Sequence, residues 1–262
     1  MTSSFKWTNA IRLGLTLAVG FLLFTASAPR ASATLTLAWS DVFNGSGGPG
    51  SQWSYMLGTN SANDEIETYV NSLANCQQTG GHLQIEAQTD SSGRWYSARI
   101  SGHPWGPYGY IAYCVQFPNS GQGYWPAGWM LGTDIGSVGW PACGEIDVAE
   151  EIDGQENDHE SLHMPNYNPT VVTNVNATGA YQTYGAYWQP GYINFSVNSV
   201  SEATFTSSEA SAAGGSWPFT AQQYILLNLA IGGSSSWPGA PNSGTKDDGN
   251  YNISWIQQYN GS

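Results

Sequence analysis

Short apolar or alternating runs recur along this chain between clusters of Gly, Pro, Asn and Ser. His82-Leu83-Gln84-Ile85-Glu86-Ala87, Tyr110-Ile111-Ala112-Tyr113-Cys114-Val115, Tyr192-Ile193-Asn194-Phe195-Ser196-Val197 and the run from Tyr224 to Ile231 are examples. β-Branched and aromatic side chains suit a pleated surface, and a period of two places them on one face. Beyond the N-terminal segment, no stretch sustains helical periodicity with caps at both ends. The expectation is all-β: a β-jelly-roll sandwich of two curved antiparallel sheets, whose concave face can hold an extended ligand.

The N-terminus reads differently. Lys6 and Arg12 precede an apolar run from Leu13 to Phe24, and Ala31-Ser32-Ala33 fits a small-x-small cleavage site. An earlier match, Ala26-Ser27-Ala28, is followed by Pro29, which disfavours cutting there. A membrane anchor is the competing reading, but the run is short for a span. Residues 1–33 are therefore expected to be a signal peptide, and residues 34–262 a single domain, secreted to the extracellular space or the periplasm. No linker, repeat or appended module interrupts the latter.

Removal of that segment leaves Arg94, Arg99 and Lys246 against 19 acids, a formal charge of −16. Phosphate neutralisation needs a basic footprint, so nucleic acid is excluded as a partner, and anionic polysaccharides are disfavoured. A neutral ligand, a monomer and no membrane attachment after cleavage are the expectations. Three cysteines, Cys76, Cys114 and Cys143, allow one disulfide in an exported protein without specifying the pair. Their spacing resembles no zinc ligand set.

The segment Gly144-Glu145-Ile146-Asp147-Val148-Ala149-Glu150 crowds three acids into a run that reads as a strand. Like charges at short range raise one another's pKa, so such a strand is poor scaffold. Regular alternation puts Glu145 and Asp147 on one face, with Ala149 next and Glu150 behind. A β-bulge across Val148 and Ala149 would return Glu150 to the acidic face. Without it, Glu151 would share that face, farther along. With the bulge, Glu145 and Glu150 lie roughly 13 Å apart at Cα, and inclined arms bring the carboxyls to about 5–6 Å. That spacing suits glycosidic cleavage with retention, which needs one ionised and one protonated carboxyl. A calcium-binding strand is the alternative, since oxygen-rich clusters also suit calcium.

His159-Glu160-Ser161-Leu162-His163 matches the His-Glu-x-x-His zinc motif. That chemistry needs both histidines on one helical face and a third ligand. Pro165 follows closely, no histidine lies downstream, and only an unsupported Glu202 is available as third ligand. No metal is expected.

The acidic segment resembles the bulged catalytic signature of glycoside hydrolase family 16. Trp125-Pro126-Ala127-Gly128-Trp129-Met130-Leu131-Gly132 is similar to a second segment of that family. Trp39-Ser40-Asp41-Val42-Phe43, Asn63-Asp64-Glu65-Ile66, Ser97-Ala98-Arg99-Ile100, Tyr184-Gly185-Ala186-Tyr187-Trp188, Leu226 to Gly233 and Trp237-Pro238-Gly239 extend the likeness in order. Within the family it is most similar to laminarinase-type endo-β-1,3-glucanases. The resemblance implies Glu145 as nucleophile, Glu150 as general acid/base and Asp147 between them, keeping their pKa values apart. It implies His163 beside the acids, Trp125 and Trp129 along the cleft, Trp237 and Asn63 as weaker substrate contacts, and neutral β-glucan as partner. His159 is then a polar loop residue. Trp39, Trp53 and Trp188 are expected in the core, whereas Trp95, Trp105 and Trp140 have no assigned place.

Departures from the family pattern matter too. Ala112, Cys114 and Gln116 stand where many relatives carry charges, which bears on substrate preference. Ser254 replaces an Asp that often helps hold structural calcium, so calcium stays open and no cofactor is predicted. Ser234-Ser235-Ser236 is an insertion before Trp237 that bears on one end of the cleft. A mixed-linkage β-1,3-1,4-glucanase and a non-catalytic β-glucan-binding protein are the alternative functions.

Overall fold

A computed structural model describes residues 34–60, 62–246 and 249–261. The expected signal segment lies outside the described residues. The first strands are β1 (Leu35–Asp41), β2 (Ser54–Tyr55), β3 (Gly58–Thr59), β4 (Thr68–Tyr69), β5 (Cys76–Thr79) and β6 (His82–Thr89). Next come β7 (Trp95–Ser97), β8 (Arg99–Trp105), β9 (Gly109–Gln116), β10 (Tyr124–Gly132), β11 (Glu145–Glu150) and β12 (Asn157–His163). The last six are β13 (Thr170–Asn174), β14 (Gln182–Gln189), β15 (Tyr192–Val197), β16 (Val200–Thr206), β17 (Gln223–Ile231) and β18 (Gly249–Gly261).

They form a jelly-roll sandwich of two sheets. One has seven strands in the order β13-β12-β11-β10-β17-β8-β2. The other has eleven, with β16-β15-β14-β9-β18-β6-β7-β4-β3 as its path and β1 and β5 attached at β18 and β6. Pairing is antiparallel apart from the short parallel contact of β4 with β7. The four apolar runs read from the sequence fall within β6, β9, β15 and β17.

The core lies between the sheets and follows the period of two. Leu83, Ile85 and Ala87 point inward from β6, Ile111, Tyr113 and Val115 from β9, and Ile225, Leu227, Leu229 and Ile231 from β17. Trp53, Trp95, Trp105 and Trp188 are buried there, while Trp39 is half-buried against the same cluster. Trp188 meets Trp105 edge-on at 6.1 Å, and its indole N–H donates to the Phe219 carbonyl at 3.1 Å. Truncating such a ring to alanine costs about 3–5 kcal/mol.

Among the described residues, helix is confined to α1 (Ile135–Val138) and α2 (Ser207–Ala212). The second is opened by a capping box between Thr206 and Glu209. Both are too short to show periodicity. Among the described residues, no helix is long and apolar enough to cross a membrane.

The disulfide allowed by the sequence does not form, and all three cysteines are free. Cys76 is buried on β5, Cys114 faces outward from β9, and Cys143 sits before β11 in the other sheet, against Leu131 and Leu226.

Candidate active site

The outward face of the seven-stranded sheet carries the acids, and the β10–β11 register explains how. Leu131 pairs with Glu145 and Trp129 with Asp147, but Gly128 then pairs with Ala149 and Ala127 with Glu150. Val148 is skipped. The sequence-predicted bulge is therefore present, and it turns Glu150, rather than Ala149, to the face of Glu145 and Asp147. Pairing of β10 with β17 is unbroken, so Trp125 and Trp129 stay on that same face.

Contacts bind these groups into one site. The Trp125 indole N–H donates to Glu150 Oε1 at 2.8 Å. On β12, His163 pairs with Glu145, and its Nε2 lies 3.0 Å from Asp147 Oδ2 and 4.0 Å from Glu145 Oε1. Burial comes first in raising the pKa of all three carboxyls above the ordinary range. Repulsion from Asp147 adds to this at Glu145 and Glu150, while His163 pulls both down. The Trp125 N–H also favours the ionised form of Glu150. Three acids in so little water cannot all be charged, so protons are distributed among them. Glu145, Asp147 and His163 place ligand atoms within 4.8 Å of one another, and are thus the residues best placed to hold a cation.

Aromatic rings extend from this centre in both directions. Trp237, half exposed at 49%, meets Trp125 edge-on at 5.8 Å and His159 at 4.7 Å. Trp140 is 57% exposed, with its ring 5.9 Å from that of His163. The Trp129 indole donates to Asn228 Oδ1 at 2.7 Å, and the Arg99 guanidinium lies over its ring at 4.8 Å.

Residues 52–257 match the family described as Glycosyl hydrolases family 16. The chain belongs to this family. It is 33% identical over 224 residues to a beta-glucanase of Rhodothermus marinus, a match covering 78% of this chain and 77% of that protein. To a keratan-sulfate endo-1,4-beta-galactosidase of Sphingobacterium multivorum it is 32% identical over 237 residues, covering 80% of this chain but 52% of the relative. The catalytic domain of an endo-1,3-beta-glucanase (laminarinase) from Thermotoga petrophila superposes with a TM-score of 0.81 at 27% identity, covering 88% of this chain and all of that domain.

Within this family-16 frame several sequence expectations change. His159 is not in a loop. It sits on β12, half-buried against Trp237 on the cleft face. The His-Glu-x-x-His run is a strand, so His159 and His163 share one face while Glu160 points inward, accepting from Thr173 Oγ1 at 3.2 Å. Zinc-protease geometry needs a helix, and this strand cannot supply it. Ala112, Cys114 and Gln116 belong to the eleven-stranded sheet and alternate with core residues Ile111, Tyr113 and Val115. They point away from the core, on the sheet that does not carry the acids.

Asn63 lies at the rim. Its side chain donates to Glu65 at 3.3 Å, and neighbouring Asp64 accepts from the Ser235 amide at 2.8 Å. The 63–65 turn thereby braces the inserted loop that presents Trp237. Sequence reasoning gave no role to Arg99, Asn228 or Trp140. One signal was available: Arg99 is one of three cations after residue 33, and it sits in a conspicuously uncharged strand.

Proposed function

We propose that the chain is an exported, endo-acting β-glucanase that cuts internal β-1,3-glucosidic bonds with retention, as a monomer and without a cofactor. The single observation that carries this reading is the bulge at Val148, which turns Glu145, Asp147 and Glu150 onto one aromatic-lined face. Ionised Glu145 attacks the anomeric carbon while protonated Glu150 gives its proton to the departing glycosidic oxygen. The glycosyl–Glu145 ester is then hydrolysed by water that ionised Glu150 deprotonates. Asp147, between them and beside His163, supplies the charge coupling that keeps one neighbour ionised and the other protonated.

The substrate class follows from the relatives and from charge. Two of the proteins compared above are named as β-glucan hydrolases. The keratan-sulfate relative points to a sulfated polymer. Here, though, the cleft centre holds three acids with Arg99 as the nearby fixed cation, a poor setting for sulfate. A neutral glucan, stacked on Trp125, Trp237 and Trp140, fits better. A mixed-linkage β-1,3-1,4-glucan is the second reading, because the same rings accept either chain.

Reducing-sugar release from laminarin, lichenan, agarose, xyloglucan and keratan sulfate tests the substrate. Laminarin is expected to be cut best, giving oligosaccharides of mixed length. Turnover of keratan sulfate alone would overturn the β-glucan reading. NMR of the first products reads the stereochemistry, with β-anomers expected, and α-anomers would end the retaining mechanism.

A further inference from the structure

The bulge that delivers Glu150 to the cleft also disrupts the strand behind it. Pairing of β11 with β12 covers Glu145–His163, Ile146–Leu162 and Asp147–Ser161 and goes no further. Past Asp147, backbone N–H groups on that edge have lost their ladder partners, and a buried N–H left unpaired is costly. One side chain fills the gap. Asp158, fully buried, accepts the Glu150 amide N–H on Oδ1 at 2.8 Å.

We infer that Asp158 is a positioning residue for the proton donor: its carboxyl oxygen replaces the ladder acceptor that the bulge takes from Glu150. The inference rests on the reading of Glu150 as general acid. Glu150 is then held at both ends, by Asp158 at the backbone and by the Trp125 N–H at the carboxyl. The anchor is itself fixed, because Asp158 pairs through its backbone with Thr173 on β13. Among the described residues, no cation acts on Asp158. Glu160, Glu150 and Glu151 crowd it, and the hydroxyls of Tyr184 and Tyr251 lie close enough to feel its charge. Burial and these neighbours push its pKa well above the ordinary carboxylate range, which favours the neutral form of the acceptor. Asparagine, which keeps a carbonyl oxygen at that position, should therefore replace it, whereas leucine should not.

The test compares kcat/KM on two substrates that differ in their need for an acid. Laminarin needs its leaving oxygen protonated. A 2,4-dinitrophenyl β-laminaribioside does not, and kcat/KM on it reports attack by Glu145 alone. Asp158→Leu is expected to lose about 10- to 100-fold on laminarin and less than about threefold on the aryl glycoside. Asp158→Asn should stay within about threefold of the parent on both. Asp158→Ala carries the same expectation as leucine and covers the case in which leucine does not fit. Equal losses on the two substrates, no loss on either, or an asparagine variant as impaired as leucine would each overturn the inference. Glu150→Gln is the control: if it fails to separate the two substrates, the reading of Glu150 fails. If it separates them and Asp158→Leu does not, the positioning role alone fails.

Discussion

The two faces of the β11–β12 region both carry three acids, and they put them to different use. On the cleft face, Glu145, Asp147 and Glu150 have His163 and the Trp125 N–H beside them, and His163 is 30% exposed. On the interior face, Glu151, Asp158 and Glu160 are fully buried. Their partners there are the Gln155 amide, the Glu150 amide and the Thr173 hydroxyl. A second oxygen on each has no protein partner among the described residues. Burial is the leading cause of a raised pKa on both faces. The outer group has the His163 imidazole beside it and a side open to solvent. The inner group has only neutral donors. Proximity of acids therefore does not by itself mark the candidate site; the imidazole beside them and the open side do.

Substitution breaks this comparison most sharply on the outer face. Glu145→Gln is expected to lower kcat on laminarin by more than about 10³-fold while glucan binding survives, because the nucleophile is lost and the platforms are not. Glu150→Gln should lose about 10²- to 10⁴-fold on laminarin, the range for a missing general acid. Kinetics on soluble laminarin and a binding assay on insoluble glucan read both. An unchanged rate for Glu145→Gln would remove it as nucleophile.

The inner face should appear in stability. An acid whose pKa is raised by folding stabilises the native state fully below its unfolded pKa, and that contribution disappears as pH climbs through the folded value. Glu160 is pushed up to about 8 and Glu151 to about 9, burial being the main cause in each. Thermal midpoints should therefore fall from about pH 5 to about pH 9, each group accounting for a few kcal/mol. Glu160→Gln and Glu151→Gln should flatten that decline. A midpoint independent of pH in the parent protein would show that these acids are not held neutral.

What the sequence disclosed and what it hid divide along the same faces. The bulge was legible because two glutamates five positions apart must meet across a repeat of two, and a single extra residue reconciles them. Strands such as Tyr192–Val197 were legible because alternation directly encodes burial. The inner acids were not, since Asp158 and Glu160 alternate with His159 and Ser161 on a strand polar on both sides. Which side is the core is decided by β13 and β14, not by local pattern. His159 and Trp140 escaped for a related reason, since their ring contacts with Trp237 and His163 join segments distant in the chain. The cysteine count admitted a bridge that only the placement of two strands and the turn before β11 rules out.

The smallest effect expected separates two rings in contact, Trp125 and Trp237. Trp237 is half exposed and its ring meets Trp125 and His159, so under the proposed function it acts on substrate through stacking, worth about 0.5–1.5 kcal/mol. Trp237→Ala should raise KM for laminarin by about three- to tenfold with kcat nearly unchanged, the signature of lost uniform binding. Trp125→Phe keeps a ring but removes the N–H that favours the ionised form of Glu150. The Glu150 pKa should then rise, shifting the alkaline limb of the pH–rate profile upward, with a smaller change in KM. Identical profiles for the two variants would mean that the Trp125 hydrogen bond does not govern the proton on Glu150, leaving the amide anchor at Asp158 as the contact that orients it.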